Sequence, residues 1–275
     1  MHAFFLVALM LAPVLAKDGP PPATEALENA LESESSSDSG DLSESESASD
    51  SEELSDSEGS SEQKWEFTLA SALERRAGQT VYQAPILEVS YYLRDDLLLD
   101  FIAPWTVLRH KSKEAKSGMG NWQTAVQWQF LDEETFGVSA LVFPRLEFNA
   151  PGSSSADRGL VQKGMTFSLP VQVGRTFGPI GIAVEAGYSF IEYGIDDSFY
   201  SLAAVYSLSD RMELLSQFLG TAQRDFKEGD AAFTIGVRWW LSDHVALLVS
   251  AGKGLYDSQG NTAEFISSFG FQFSY

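Results

Sequence analysis

Beyond Lys64, apolar and polar side chains alternate with a period of two, as they do in strands whose two faces meet unlike surroundings. The closing segment is the clearest case. Phe265, Ser267, Phe269, Phe271, Phe273 and Tyr275 share one face, and Ser268, Gly270, Gln272 and Ser274 share the other. Trp122, Thr124, Val126, Trp128 and Phe130 likewise oppose Gln123, Ala125, Gln127 and Gln129. Leu87, Val89 and Tyr91 oppose Glu88 and Ser90, and Phe233, Ile235, Val237 and Trp239 oppose Thr234, Gly236 and Arg238.

This rhythm predicts strands near residues 65–74, 81–93, 96–106, 121–131, 135–148 and 163–177. Six more are predicted near 179–191, 198–208, 211–223, 230–242, 244–254 and 263–275, about twelve in all and an even number. Tight polar breaks at Arg94-Asp95-Asp96, Asp132-Glu133-Glu134, Gly178-Pro179, Ser209-Asp210 and Ser242-Asp243 follow the even strands. Longer gaps at 107–120, 149–162, 192–197, 224–229 and 255–262 follow odd ones. Short turns on one side and long loops on the other are what a transmembrane up-and-down antiparallel β-barrel has, with both termini on the short-turn side. Trp65, Trp105, Trp122, Tyr206, Trp239, Trp240 and Tyr275 fall near strand ends, where aromatic girdles meet lipid headgroups. A soluble lipocalin-like barrel is the competing all-β arrangement; it would leave these features without a cause. Pro85, Pro104, Pro144 and Pro170 lie inside proposed strands, and each is expected to mark a bulge or a strand extension beyond the membrane, because proline cannot donate to the ladder.

Residues 1–16 and 17–63 break the pattern. Ala3 to Leu15 is an apolar run too short to span a bilayer, followed by Ala16 at a natural cleavage point, and it reads as a signal peptide, although no Lys or Arg precedes it. The arm over 17–63 is dominated by Ser, Asp and Glu, with Leu42 and Leu54 as the sizeable apolar residues between Glu32 and Glu62. So little apolar surface cannot offset the roughly 1–2 kcal/mol per residue that ordering a backbone costs, so the arm is expected to be disordered. It serves either as an extended spacer or as a calcium-binding or phosphorylated tether. The barrel domain is then 64–275.

Charge follows the same division. The formal net charge is -21 from 39 acidic and 18 basic residues; fifteen of the acids but only Lys17 among the bases fall in residues 1–62, so the remainder carries a modest net -7. Neither part offers the clustered positive face that nucleic acid requires. The chain contains no cysteine, which excludes disulfides and thiolate chemistry. After the leader only His110 and His244 remain of the histidines, too few and too far apart in the strand map for a zinc site or a serine hydrolase base, so neither a metal, a cofactor nor an enzymatic activity is expected.

Strand parity sends Glu88, Asp100, Arg145, Glu147, Glu185 and Arg238 to the inner face, where water or a partner can reach them. An outward arginine at mid-bilayer would cost roughly 2–4 kcal/mol. These six residues are the candidate lumen-lining site. They form either a mixed-sign channel lining that binds passing solutes or a set of cross-lumen ion pairs that brace the barrel. The basic run Arg109 to Lys116 falls in an expected outer loop, either simply solvated or gripping anionic lipid or solute.

The stretch from about Trp65 to Tyr275 resembles the outer-membrane transporter family known as meta-pathway phenol degradation proteins. The resemblance rests on Gly164-Met165-Thr166-Phe167-Ser168-Leu169-Pro170, on Ile182-Ala183-Val184-Glu185-Ala186-Gly187-Tyr188 and on the ending Gly270-Phe271-Gln272-Phe273-Ser274-Tyr275. It implies a passive outer-membrane channel for small solutes, tilted towards hydrophobic or aromatic compounds. The last residues resemble the recognition signal for the barrel-assembly machinery, which would read Phe271, Phe273 and Tyr275. The expected protein is therefore a monomeric porin-like transporter in the bacterial outer membrane, surrounded by lipid, with its arm in the periplasm. A non-conducting structural or adhesion barrel is the alternative, and a barrel lipid hydrolase a more distant one.

Overall fold

A computed structural model describes residues 65–224 and 228–275. The expected leader and acidic arm lie outside the described residues. Fourteen strands follow one another in the order of the chain: β1 (Trp65–Arg76), β2 (Gln79–Arg94), β3 (Leu97–His110), β4 (Lys113–Met119), β5 (Asn121–Leu131), β6 (Ser139–Val142) and β7 (Arg145–Asn149). Then come β8 (Thr166–Phe177), β9 (Ile180–Ile191), β10 (Asp197–Ser209), β11 (Met212–Gln223), β12 (Gly229–Ser242), β13 (Val245–Asp257) and β14 (Ala263–Ser274). A one-turn helix, α1 (Glu133–Phe136), lies between β5 and β6.

The strands close on themselves as a twelve-stave antiparallel barrel. β1 pairs with β14 from Glu66↔Ser274 to Arg76↔Ala263, which closes the barrel; beyond it, among the described residues, the outer edge of β4 carries no strand partner. Two staves are each made of two strands. β3 pairs with β4 along its second half and with β5 along its first, so β4 and β5 form one stave interrupted at Gly120. A Cβ on Gly120 would lie 2.7 Å from both Pro104 Cγ and Thr106 Oγ1, which is why glycine sits at this interruption. Its N–H donates to the Pro104 carbonyl at 2.7 Å. β6 and β7 form the other composite stave, broken at Phe143-Pro144, and both pair with β5 and with β8.

Each proline has a place in this scheme. Pro85 sits where the register of β2 shifts against β1 and β3, and Pro144 occupies the β6–β7 break. Pro104 marks the exchange of partners along β3. Pro170 departs from the expectation, since β8 runs through it with unbroken register against β9. The Pro170 carbonyl accepts from Phe143 N–H, so its nitrogen faces the broken stave, and the one ladder bond it gives up, to the Phe143 carbonyl, falls at the β6–β7 break.

The two ends differ, though less strictly than the sequence suggests. The near end, with Trp65 and Tyr275, carries two-residue turns at 95–96, 178–179, 210–211 and 243–244. Its fifth connection, expected as a tight break after residue 131, is instead the segment 132–138 containing α1. The Glu133 carboxylate there accepts from the Thr176 hydroxyl at 3.0 Å. At the far end the expected long gap at 107–120 is a strand hairpin turning at Lys111-Ser112, so the basic run Arg109 to Lys116 is hairpin, not loop. Beyond a membrane both faces of a strand meet water, and the alternation that identifies strands vanishes.

Parity decides what faces out. Exposed outward residues include Trp65, Phe67, Trp128, Tyr206 and Trp239 near one end, and Tyr82, Trp105, Phe167, Phe190 and Tyr200 near the other. Between these belts lie Leu69, Leu87, Val126, Val171, Val184 and Ile235, all exposed. In the described strands no charged residue faces outward in this central band; Lys253 at its far edge, Arg175 at the level of the near belt and the Arg75–Glu264 pair (3.1 Å) at the far rim flank it. The protein therefore presents a hydrocarbon-like belt bounded by aromatic rings, with its polar side chains turned inward.

Candidate functional site

The lumen holds the chemistry. All six candidates from the sequence face it, in register with other inward residues: Glu88 opposite Thr68, Asp100 opposite Ser90, Arg145 opposite Ala125, Glu147 opposite Gln123, Glu185 opposite Gln172, and Arg238 opposite Glu213. They fall into two tiers along the barrel, and a third charged tier lies beyond them at the far mouth.

Nearest the termini, Arg238 forms an ion pair with Glu213 at 3.1 Å and is 2 % exposed. Its charge is also felt across the lumen by Glu66 and Tyr92, on β1 and β2. Glu66 accepts from Gln272 Nε2 at 3.0 Å, and Asp100 accepts from the Ser90 hydroxyl at 2.9 Å. Glu88 lies close enough to Asp100 and Glu66 for their charges to interact. Arg238 thus meets two of these four carboxyl groups, Glu213 directly and Glu66 through its charge.

In the middle tier the Arg145 guanidinium is held between two rings, 5.2 Å from the centroids of both Phe143 and Phe199. Phe199 can lie flat against the wall because its cross-strand partner is Gly187, where a Cβ would come within 2.2 Å of the ring. Arg145 Nη2 is 3.7 Å from Glu185 Oε1, an ion pair without a hydrogen bond. Both oxygens of Glu185, itself 1 % exposed, have no hydrogen-bond partner, and the same holds for Gln172 Nε2, Ser201 Oγ and both amide atoms of Gln217. These groups face the lumen at adjacent positions on β8, β9, β10 and β11. Glu147, further up, accepts from Asn121 Nδ2 at 2.8 Å.

At the far mouth Arg76 is surrounded. It contacts Glu74 and bonds Asp257 at 3.0 Å, with Asp230 at 3.8 Å and the Asn261 carbonyl at 2.9 Å. Asp230 in turn accepts from Thr221, and Asp197 from Ser189. Below this mouth an apolar patch of Ala70, Ala72, Ile86, Ile102, Ala232 and Ile266 packs from one side of the lumen.

Space inside is unevenly divided. A cavity of about 50 Å³ runs along the inner wall of β10–β14, lined by Ala203, Gln217, Thr234, Gly236, Ser250 and Ser268 among others. The facing staves carry more of the bulk: Ile102, Leu141, Pro170, Gln172 and Glu185 are almost fully buried, while on the open side Arg238, near the termini, is equally buried.

Sequence parity identified the six candidates but left Glu66, Glu74, Arg76, Asp197, Glu213, Asp230 and Asp257 unnamed. Most of these sit at strand ends; Arg76 and Asp257 lie beyond the strand limits that the alternation suggests. The inward period of two, extended by one pair of residues at each end, finds all but Asp257, which a bulge between Gly254 and Tyr256 turns inward out of phase. His110 and His244 stand at opposite ends, His244 stacked on Tyr275 with ring centroids 6.4 Å apart.

Among solved structures, an outer membrane channel from Pseudomonas putida F1 is similar with a TM-score of 0.61 and 12% identity, over 78% of this chain and 95% of that one. The NanC porin is similar at 0.53 and 10% identity, over 75% and 98%. The KdgM porin in complex with disordered oligogalacturonate reaches 0.50 at 10% identity, over 76% and 99%. At these identities the likeness establishes the fold. No family model matches the chain, and no curated protein sequence does.

Proposed function

We propose that the protein is a passive channel for small solutes in the bacterial outer membrane, with the near end and the acidic arm on the periplasmic side. The observation that carries this reading is the contrast between an outward band without charge and a lumen whose polar groups stand beside open volume along β10–β14. Unpartnered buried amides and carboxylate oxygens are costly unless water or a solute reaches them, so this arrangement suits a wet path. The bulk on the facing staves makes it a narrow one. The three similar structures, an outer membrane channel and two porins, support the same function. Phe271 and Phe273 on the outward face of β14, with Tyr275 beyond its end, are available to the barrel-assembly machinery.

The resemblance to the phenol degradation transporters extends the proposal to neutral, mostly apolar or aromatic solutes. Ala203, Val205, Leu215 and Leu248 with the Gln217 amide suit a molecule that is largely hydrocarbon with one hydrogen-bonding group. Folded protein in planar bilayers tests both parts. Stepwise KCl current is expected, and phenol is expected to lower it. A persistently silent bilayer containing folded protein would favour a structural barrel, and current indifferent to saturating phenol would remove the finer claim.

A further inference from the structure

Resting on the channel reading, the charge arrangement goes further: we propose that the lumen selects for cations over anions. The far mouth gathers Glu74, Asp197, Asp230 and Asp257 around Arg76, while Lys116 and Arg158 lie apart from this cluster on the β4 side. Arg76 already contacts three of these carboxylates and a backbone carbonyl, so its charge is spent on neighbours and an arriving anion finds none to spare. In the near tier Arg238 is paired with Glu213 and its charge is felt by Glu66, with Glu88 and Asp100 nearby on β2 and β3.

The middle tier supplies an independent sign that a ligand belongs there. Glu185 is 1 % exposed and keeps both oxygens without a hydrogen bond, although Arg145 lies 3.7 Å away. Arg145 cannot close on it, because its guanidinium is sandwiched between Phe143 and Phe199. Next to Glu185, Ser201 and Gln172 leave further polar atoms unused, and Gln217 carries its free amide to the cavity wall. A hydrated metal ion or a small ammonium compound arriving from the mouth would meet carboxylate, hydroxyl and amide oxygens in succession. Anions would meet Arg76 and Arg238 already ion-paired, and Arg145 held between two rings beside Glu185. The low-dielectric wall strengthens the effect, since field lines from the carboxylates are confined to the lumen.

Reversal potentials across a KCl gradient, measured on the full barrel in planar bilayers, test this. Potassium is expected to exceed chloride in permeability by about tenfold, in line with the enrichment that single-sign clefts produce. Glu185→Gln, nearly isosteric, is expected to lower that ratio, and Asp257→Asn at the mouth to lower it independently should the first variant fold poorly. Arg145→Gln is expected to raise it. A permeability ratio near one, or one favouring chloride, overturns the inference while leaving the channel intact. Absence of any current removes the channel reading, and cation selectivity with it.

Discussion

The two walls of the lumen are built on one backbone plan and do opposite things. Along β10–β14 the inward positions include Ala203, Gly236, Ser250, Gly252 and Ser268, and a cavity follows them. Across the barrel, β3 to β9 turn inward Ile102, Leu141, Phe143, Arg145, Gln172 and Glu185, and the space is filled. Strand number fixes the diameter of a barrel, but the size of every second side chain fixes what can pass. Among the described residues, small inward side chains on one wall therefore leave open volume to one side of the barrel axis.

The largest way to break this contrast is to fill the open wall. Ser250→Trp puts an indole where the Ser250 and Ser268 hydroxyls now meet at 2.6 Å, and single-channel conductance is expected to fall about tenfold or more as the path narrows to a dry constriction. Emptying the filled wall works in reverse. Arg145→Ala removes the sandwiched guanidinium and leaves Glu185 buried without a counter-charge, so conductance rises while stability drops by about 3–5 kcal/mol. Chemical denaturation in detergent or lipid reads the second effect.

Comparing the two faces of the filled wall sharpens the picture further. Val184 points outward beside the inward Glu185, and Val184→Arg is expected to cost roughly 2–4 kcal/mol of folding stability in lipid. The smallest expected effect compares two glycines that each lie under a ring. Gly187 lies in the lumen against Phe199, and Gly220 lies on the outward face against Tyr200; an added Cβ would come within 2.2 Å and 2.3 Å of the respective ring. Gly187→Ala is expected to cost about 1–3 kcal/mol, because Phe199 is pinned by Arg145. Gly220→Ala is expected to cost less, since Tyr200 can swing into lipid. Equal losses in paired denaturation curves would refute the distinction.

Much of this was legible in the residues. Alternation identified the barrel, the side to which each of Glu88, Asp100, Arg145, Glu147, Glu185 and Arg238 turns, and the twelve staves. Three things were hidden, each for a physical reason. The β3–β4 hairpin lies where both strand faces meet water, so Arg109 to Lys116 carries no alternation to read. The Arg145–Glu185 pair bridges β7 and β9 across an intervening strand, and side-chain period alone does not reveal register between strands. Pro170 looks like a mid-strand ladder defect until its partner stave's break at Phe143-Pro144 is seen, because the missing donor falls where the neighbouring strand is already interrupted.

Adjacent residues on one strand test the central claim most directly, and the absence of native cysteine makes the experiment clean. Ser268 lines the cavity and its neighbour Phe269 is exposed on the outward face of β14. With the barrel folded in lipid, a charged, membrane-impermeant thiol reagent is expected to label Ser268→Cys and reduce its current, while Phe269→Cys stays unlabelled and conducts as before. Labelling of Phe269→Cys with Ser268→Cys protected would contradict a barrel that keeps water inside and hydrocarbon outside.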